Sequence, residues 1–310
     1  MYPHRINLRG PWQCETLDTA LPKRVHRVNM PCRWADTPLN DCSGRIRCQR
    51  RFHWQKPLDA KERLFLVVGA ADYRAEVTLN GQFLGKHEGA FDPFEFEITH
   101  LVQASNDLSI EVDSQGGLWG TVFLEVRREC FLHHVNIHPL WVYDMAEVYI
   151  NGLVVGPEEQ QLDLDLLLND SLLLSQHVKA SVRGNPFQLL TRVPGIERWL
   201  PAGFGKPALH ELRLELLDVH SRLFVEAKRI GFRENYSLES PTEFSINGHR
   251  CPWPPPWILN EPVLESPTLE QADAEGRLLN VIVPNRYGSG GETILRHLSW
   301  HPAVFDMDEA

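Results

Sequence analysis

Five of the nine tryptophans, Trp34, Trp119, Trp199, Trp253 and Trp257, bring flat aromatic faces that could stack on a sugar ring, although aromatic side chains serve more often as packing. Trp119 and Trp199 sit inside runs that read as structural and are expected to pack. Trp253 and Trp257 lie on the proline-rich run CPWPPPW (Cys251–Trp257), a loop placement that favours exposure. Other groupings that could do chemistry fall short of a working pattern. His87-Glu88-Gly89 is not HExxH, so no metalloprotease chemistry follows, and His87 is expected to hydrogen-bond to backbone in a loop it shapes with Gly89. His133, His134 and His138 form HHxxxH without a matching cysteine or carboxylate ligand set, and read as surface or core histidines. Arg286–Glu292 (RYGSGGE) lacks the Lys-Ser/Thr ending of a phosphate loop and reads as a connector. The six cysteines show neither CxxC pairing nor a histidine cluster. No metal and no cofactor are expected.

The elements that would position these residues are predominantly strands, because apolar residues alternate with period two in short runs bounded by turns. In Ile46–Trp54 one face holds Ile46, Cys48, Phe52 and Trp54, the other Arg47, Gln49, Arg51 and His53. Arg63–Ala70 (RLFLVVGA) is apolar nearly throughout, as a strand covered on both faces would be. Glu76–Gly81 ends in Asn80-Gly81, a pair suited to a type I′ hairpin turn. Phe94–Thr99, Leu108–Asp113 and Thr121–Val126 continue the alternation, and eight or so strands without helices indicate a jelly-roll sandwich. A second series runs from Phe131 through Ser221–Phe232, with another Asn-Gly turn expected at Asn151-Gly152; about seven strands fit an immunoglobulin-like sandwich. After Asn247-Gly248 the character changes. The prolines of CPWPPPW exclude a central strand or helix. Ser266-Pro267 precedes an expected helix over Thr268–Arg277, and Leu278–Val283 (LLNVIV) reads as a buried strand.

Composition bounds the reading. The 310 residues, 43% hydrophobic, suffice for two cored domains. A net charge of −10 with scattered basic residues argues against nucleic acid. The first residues lack the apolar core of a secretory signal, and no stretch approaches the ~20 apolar residues that span a bilayer. A soluble, cytoplasmic protein without a membrane partner is expected.

Gly69–Val102 (GAADYRAEVTLNGQFLGKHEGAFDPFEFEITHLV) combines a buried strand, Ala and Tyr, an Asn-Gly hairpin, Gly-x-His-x-Gly and a Phe-Glu-Phe strand. Gln115–Val126 (QGGLWGTVFLEV), Arg198–Leu216 (RWLPAGFGKPALHELRLEL), Arg229–Glu234 (RIGFRE) and Phe244–Gly248 (FSING) follow. In this order the motifs resemble glycoside hydrolase family 2 of the β-mannosidase and β-galactosidase type, with His210 where tyrosine is usual. The resemblance covers roughly residues 1–250. It implies an all-β fold, a galactose-binding-like jelly roll at 1–128 followed by an immunoglobulin-like sandwich at 129–247, and a short βα start of a (β/α)₈ barrel at 248–310. It also implies that the loop carrying Asp113, Ser114 and Gln115 approaches the sugar.

Retaining glycosidases need two carboxyl groups about 5–5.5 Å apart. In the resembled family both stand on later barrel strands, and a barrel takes about 250 residues. No catalytic residue is therefore assigned. Carbohydrate contacts are expected from Trp34, Asp113, Gln115, Trp253 and Trp257. The expected role is non-catalytic carbohydrate recognition or scaffolding; the alternative is a subunit or truncated form of a retaining, β-mannosidase-like β-glycosidase whose catalytic barrel lies on another chain. Expected partners are a glycan and either a second copy or that barrel-bearing chain.

Overall fold

The computed structural model describes residues 2–17, 25–40, 42, 44–89, 92–113, 116–219, 221–234, 271 and 273–275 in full, and the backbone of 237–240, 243–246, 249–252, 258–259, 279–281 and 304–305. The chain divides into Pro3–Arg128 and a second unit of Glu129–Ala310 with Met1–Tyr2.

The first unit is a β-sandwich. One sheet has the order β1 (His4–Asn7), β12 (Val122–Arg128), β6 (Glu62–Val68), β9 (Phe94–Glu97). The other runs β3 (Val25–Met30), β2 (Gly10–Thr16), β5 (Arg45–His53), β10 (Ser105–Asp113), β7 (Arg74–Leu79), β8 (Gln82–Glu88). All the pairings of both sheets are antiparallel. Successive strand residues point to opposite faces, so the alternation becomes a core. Ile46, Cys48, Val77, Leu79, Ile110 and Val112 are buried from the larger sheet, Leu64, Leu66, Val68 and Leu124 from the smaller. Five of the seven residues of β6 are buried apolar ones, as its continuous pattern requires. Asn80 and Gly81 turn β7 into β8 at φ 53° and 80°, and the Asn80 side chain donates to Leu101 O and accepts from the Asp107 amide. A small two-stranded sheet, β4 (Cys32–Arg33) with β11 (Gly117–Leu118), lies at the loop end, followed by one 3₁₀ turn at Trp34–Asp36.

The second unit holds seven longer strands in two sheets. Three form the order β13 (Phe131–Val142), β14 (Met145–Val155), β17 (Asn185–Val193). Four form β16 (Ser171–Ala180), β15 (Gln160–Leu168), β18 (His210–Leu217), β19 (Arg222–Ile230). The expected turn at Asn151-Gly152 is not one. β14 runs straight through it, with Asn151 opposite Asn136 on one side and Gln188 on the other. The chain turns at Tyr143–Asp144 instead, both in left-handed backbone at φ 48° and 62°. Glycine at 152 serves close packing: a Cβ there would stand 2.8 Å from Phe187 Cε1.

Three antiparallel strands follow, β20 (Ser237–Ser240), β21 (Glu243–Ile246) and β22 (His249–Pro252), the proline-bearing strand at an edge. Then β23 (Ile258–Leu259), β24 (Leu279–Val281) and β25 (Val304–Phe305) pair in parallel and in sequence order. Residues 271 and 273–275 are helical, inside the expected helix. The cap at Ser266-Pro267 and the connector Arg286–Glu292 lie outside the described residues. The protein is thus all-β, two sandwiches followed by a short parallel βα element.

Candidate functional site

The loop end of the first sandwich is built by close backbone crossings. The Trp34 amide donates to Gly116 O and the Asp72 amide to Gly117 O, each at 3.0 Å. Beside them Gly69 N donates to Thr121 O and Gly120 N to Ala70 O. Glycine is required where these segments cross. A Cβ at Gly116 would lie 1.9 Å from Asp72 Oδ2, and one at Gly120 1.9 Å from the Ala70 nitrogen. The Asp72 carboxyl is buried against Gly116, and Tyr73 next to it is 40% exposed, its carbonyl accepting from Gly89 N. Arg33 and Asp36 pair at 2.9 Å on the rim. Asp113, half-buried, ends β10.

This arrangement brings together Trp34 and Asp113, though not as two ligand contacts. Trp34 is 1% exposed, so its ring cannot stack on a sugar, and that expectation is corrected. Its indole N–H donates to Asp113 O at 3.2 Å, making it a positioning residue for the end of β10. Gln115, Trp253 and Trp257 lie outside the described residues. Trp119 and Trp199 are buried, as packing requires; Trp199 donates its indole N–H to Asp273 O at 2.8 Å. Sequence reasoning gave no role to Tyr73, Asp72 or Arg33. A tyrosine directly after the buried GAAD run was the signal, since the residue that leaves a buried strand at a loop is the first free to face solvent.

The histidines settle into structural roles. His87 stacks on Phe94 at 4.1 Å and donates from Nε2 to Gly89 O at 3.2 Å, as expected; burial holds its pKa below the ordinary value. His133 and His134 face each other edge-on across a β-bulge, with Nε2 atoms 2.8 Å apart, whereas His138 stacks on Tyr149. Among the described residues no group of three or more His, Cys, Asp or Glu could hold a metal. His210, in the position of the resembled family's tyrosine, bridges Glu197 O through Nε2 (3.0 Å) and accepts from Asn169 Nδ2 at Nδ1 (3.2 Å).

Glu125 is buried between Arg5 and Arg127, and Glu215 between Arg213 and Arg222, both holding strands together. A cavity of about 510 Å³ beside Trp54 and His100 contains two acids, Asp59 and Glu62. Glu62 accepts from the Asp59 amide at 2.9 Å, while Asp59 accepts from the Lys61 amide and pairs with Arg128 at 3.0 Å. The Lys61 amide, then Arg128, hold the Asp59 carboxyl below its usual range. An acid held ionised by a turn and an ion pair is no proton donor at neutral pH. What the loop end offers is a ring, a guanidinium and carboxylates for hydrogen bonding and stacking.

Within the first sandwich, residues 45–117 match the family model described as the glycosyl hydrolase 2 galactose-binding domain-like module. A β-galactosidase of Thermoanaerobacter pseudethanolicus is 28% identical over 105 residues, 27% of this chain and 14% of that enzyme. A β-glucuronidase of Canis lupus familiaris is 23% identical over 278 residues, 75% of this chain and 41% of that enzyme. In structure, 98% of the chain superposes on a β-glucuronidase of Bacteroides uniformis with a TM-score of 0.77 at 18% identity, covering 46% of it. A β-galacturonidase of Eisenbergiella tayi gives 0.77 at 16% identity, with 65% of that chain covered. The structural likenesses establish the fold, and the chain spans less than half the length of these two curated relatives. Among the described residues no helix is long and apolar enough to cross a membrane.

Proposed function

We propose that the chain is a non-catalytic carbohydrate-recognition or scaffold protein, built from the sandwiches of a glycoside hydrolase family 2 enzyme of the β-mannosidase type and working in the cytoplasm. The observation that carries this reading is the loop end of the first sandwich. Backbone crossings at Gly116 and Gly120 hold together the segments that carry Tyr73, the Arg33–Asp36 pair and Asp113, while the buried Glu125 and Glu215 are engaged by guanidinium groups. The free cysteines, including Cys14 and Cys48 with sulfurs 3.1 Å apart, suit a reducing compartment.

The purified chain is expected to bind carbohydrate on a glycan array, more weakly after Arg33→Ala or Asp113→Ala, and to leave aryl β-mannosides, β-galactosides and β-glucuronides intact. Turnover of any of these by the pure protein refutes the non-catalytic reading. A second reading rests on the parallel strands β23, β24 and β25 in sequence order, the way a (β/α)₈ barrel begins and an arrangement a binding module has no use for. In that case the chain is a β-glycosidase subunit whose partner bears the barrel. Co-purification of a barrel protein, with turnover only in its presence, would favour it.

A further inference from the structure

Strand pairing lines up one row of side chains across all six strands of the larger sheet of the first sandwich. Arg27 stands opposite Gln13, Gln13 opposite Gln49, Gln49 opposite Ser109, Ser109 opposite Thr78, and Thr78 opposite Phe83. With strands about 4.8 Å apart the row is roughly 24 Å long. It belongs to the outward set of the alternation, and Gln13, Gln49 and Arg27 are exposed. A groove of about 700 Å³ lies along it, lined by these residues with Ser109 and Thr78.

The groove's charges are largely neutralised. On one side Glu15, Arg47, Glu111, Arg45, Glu76 and Lys86 form a continuous chain of ion pairs of 2.8–3.3 Å, three acids against three bases. On the other Arg51 pairs with Asp107 at 2.8 Å, and the Arg50 guanidinium is held by Pro11 O and Arg9 O. Between them the amides of Gln13 and Gln49 and the hydroxyls of Ser109 and Thr78 have no hydrogen-bond partner among the described residues. At the row's end Phe83, 53% exposed, offers a ring on the edge strand.

We propose that this face is a second binding groove, for an extended uncharged glycan lying across the strands, independent of the loop end. Amides and hydroxyls each supply donor and acceptor to sugar hydroxyls, and an exposed ring stacks on a pyranose face. An anionic chain would find two cations without an ion pair among the described lining residues, Arg27 and the carbonyl-held Arg50, and would have to break ion pairs to recruit Arg47 or Arg51. The proposal shares with the reading above only the class of ligand.

Native affinity electrophoresis of the full chain through gels holding galactomannan, xyloglucan or hydroxyethyl cellulose tests it, with polygalacturonate as the anionic control. At least one neutral polymer should retard the protein. Gln13→Ala/Gln49→Ala should weaken that retardation at least fivefold. Both glutamines are exposed, and an unchanged urea midpoint confirms that the variant keeps its fold. Failure of every neutral polymer, retardation by polygalacturonate alone, or a loss below fivefold overturns the proposal. Retardation that instead disappears in Arg33→Ala and Asp113→Ala, while surviving in the glutamine variant, overturns the groove and upholds the loop end; absence of all binding sinks both.

Discussion

At the scale of single residues, the same chemistry that suggests a ligand contact often serves to hold a neighbour. Trp34 is the clearest instance: an indole chosen as a stacking face proves to be a buried strut whose N–H fixes the Asp113 carbonyl. Trp34→Ala should cost about 3–5 kcal/mol, the usual result of emptying a buried aromatic site. Trp34→Phe should cost less but release Asp113, so any glycan affinity of the loop end falls in both variants and tracks stability in only the first. Urea denaturation beside glycan binding checks this; a Trp34→Phe protein of unchanged affinity would refute the positioning role. Composition cannot distinguish the two uses of tryptophan. What does is the register of the crossing at Gly116, which a linear sequence does not display.

At the scale of elements, the alternation made most strands legible. The inward set Ile46, Cys48 and Phe52 and the outward set Arg47, Gln49 and Arg51 follow directly from period two, and that outward set supplies the floor and walls of the proposed groove. Turns are less legible where two signals compete. Asn80-Gly81 turns the chain because both residues take left-handed backbone, with the asparagine side chain tied on either side. Asn151-Gly152 carries the same letters inside a strand, because Phe187 crosses over it. The true turn at Tyr143–Asp144 has no glycine to announce it. Two substitutions should therefore behave opposite to a reading by letters. Gly152→Ala should destabilise by about 1–3 kcal/mol through overpacking against Phe187. Tyr143→Asn, at a 98% exposed left-handed position that asparagine tolerates, should leave stability unchanged or raise it by up to about 1 kcal/mol. Urea midpoints of the two proteins decide the matter, and a Gly152→Ala protein as stable as the parent would contradict the packing account.

At the scale of the whole molecule, the shifted titrations combine into a stability profile with two flanks. Burial lowers the His87 and His138 pKa values in the folded chain, so the unfolded chain binds more protons as pH drops below about 6.5, and stability declines there. Asp59, Glu76 and Glu197 are held low by hydrogen bonds and ion pairs with Lys61 and Arg128, Lys86 and Arg45, and Lys206, which continues the decline below about pH 4. On the alkaline flank burial, then the nearby Cys14 and Asp36, push the Cys32 thiol from 9.0 up to about 12. Its Cys14 contact and burial push Cys48 well above its ordinary value too. A folded state that keeps these thiols protonated while the unfolded chain ionises them loses stability as pH rises above about 9. The urea midpoint should thus be flat between about pH 7 and 8.5 and fall on both sides. His87→Gln/His138→Gln should flatten the profile between pH 5 and 6.5, and Cys32→Ala should shift the alkaline fall upward. A midpoint that climbs from pH 9 to 11 would mean that the thiols are not buried in the neutral form, and with it the close packing of Cys32 beside the loop end would have to be abandoned.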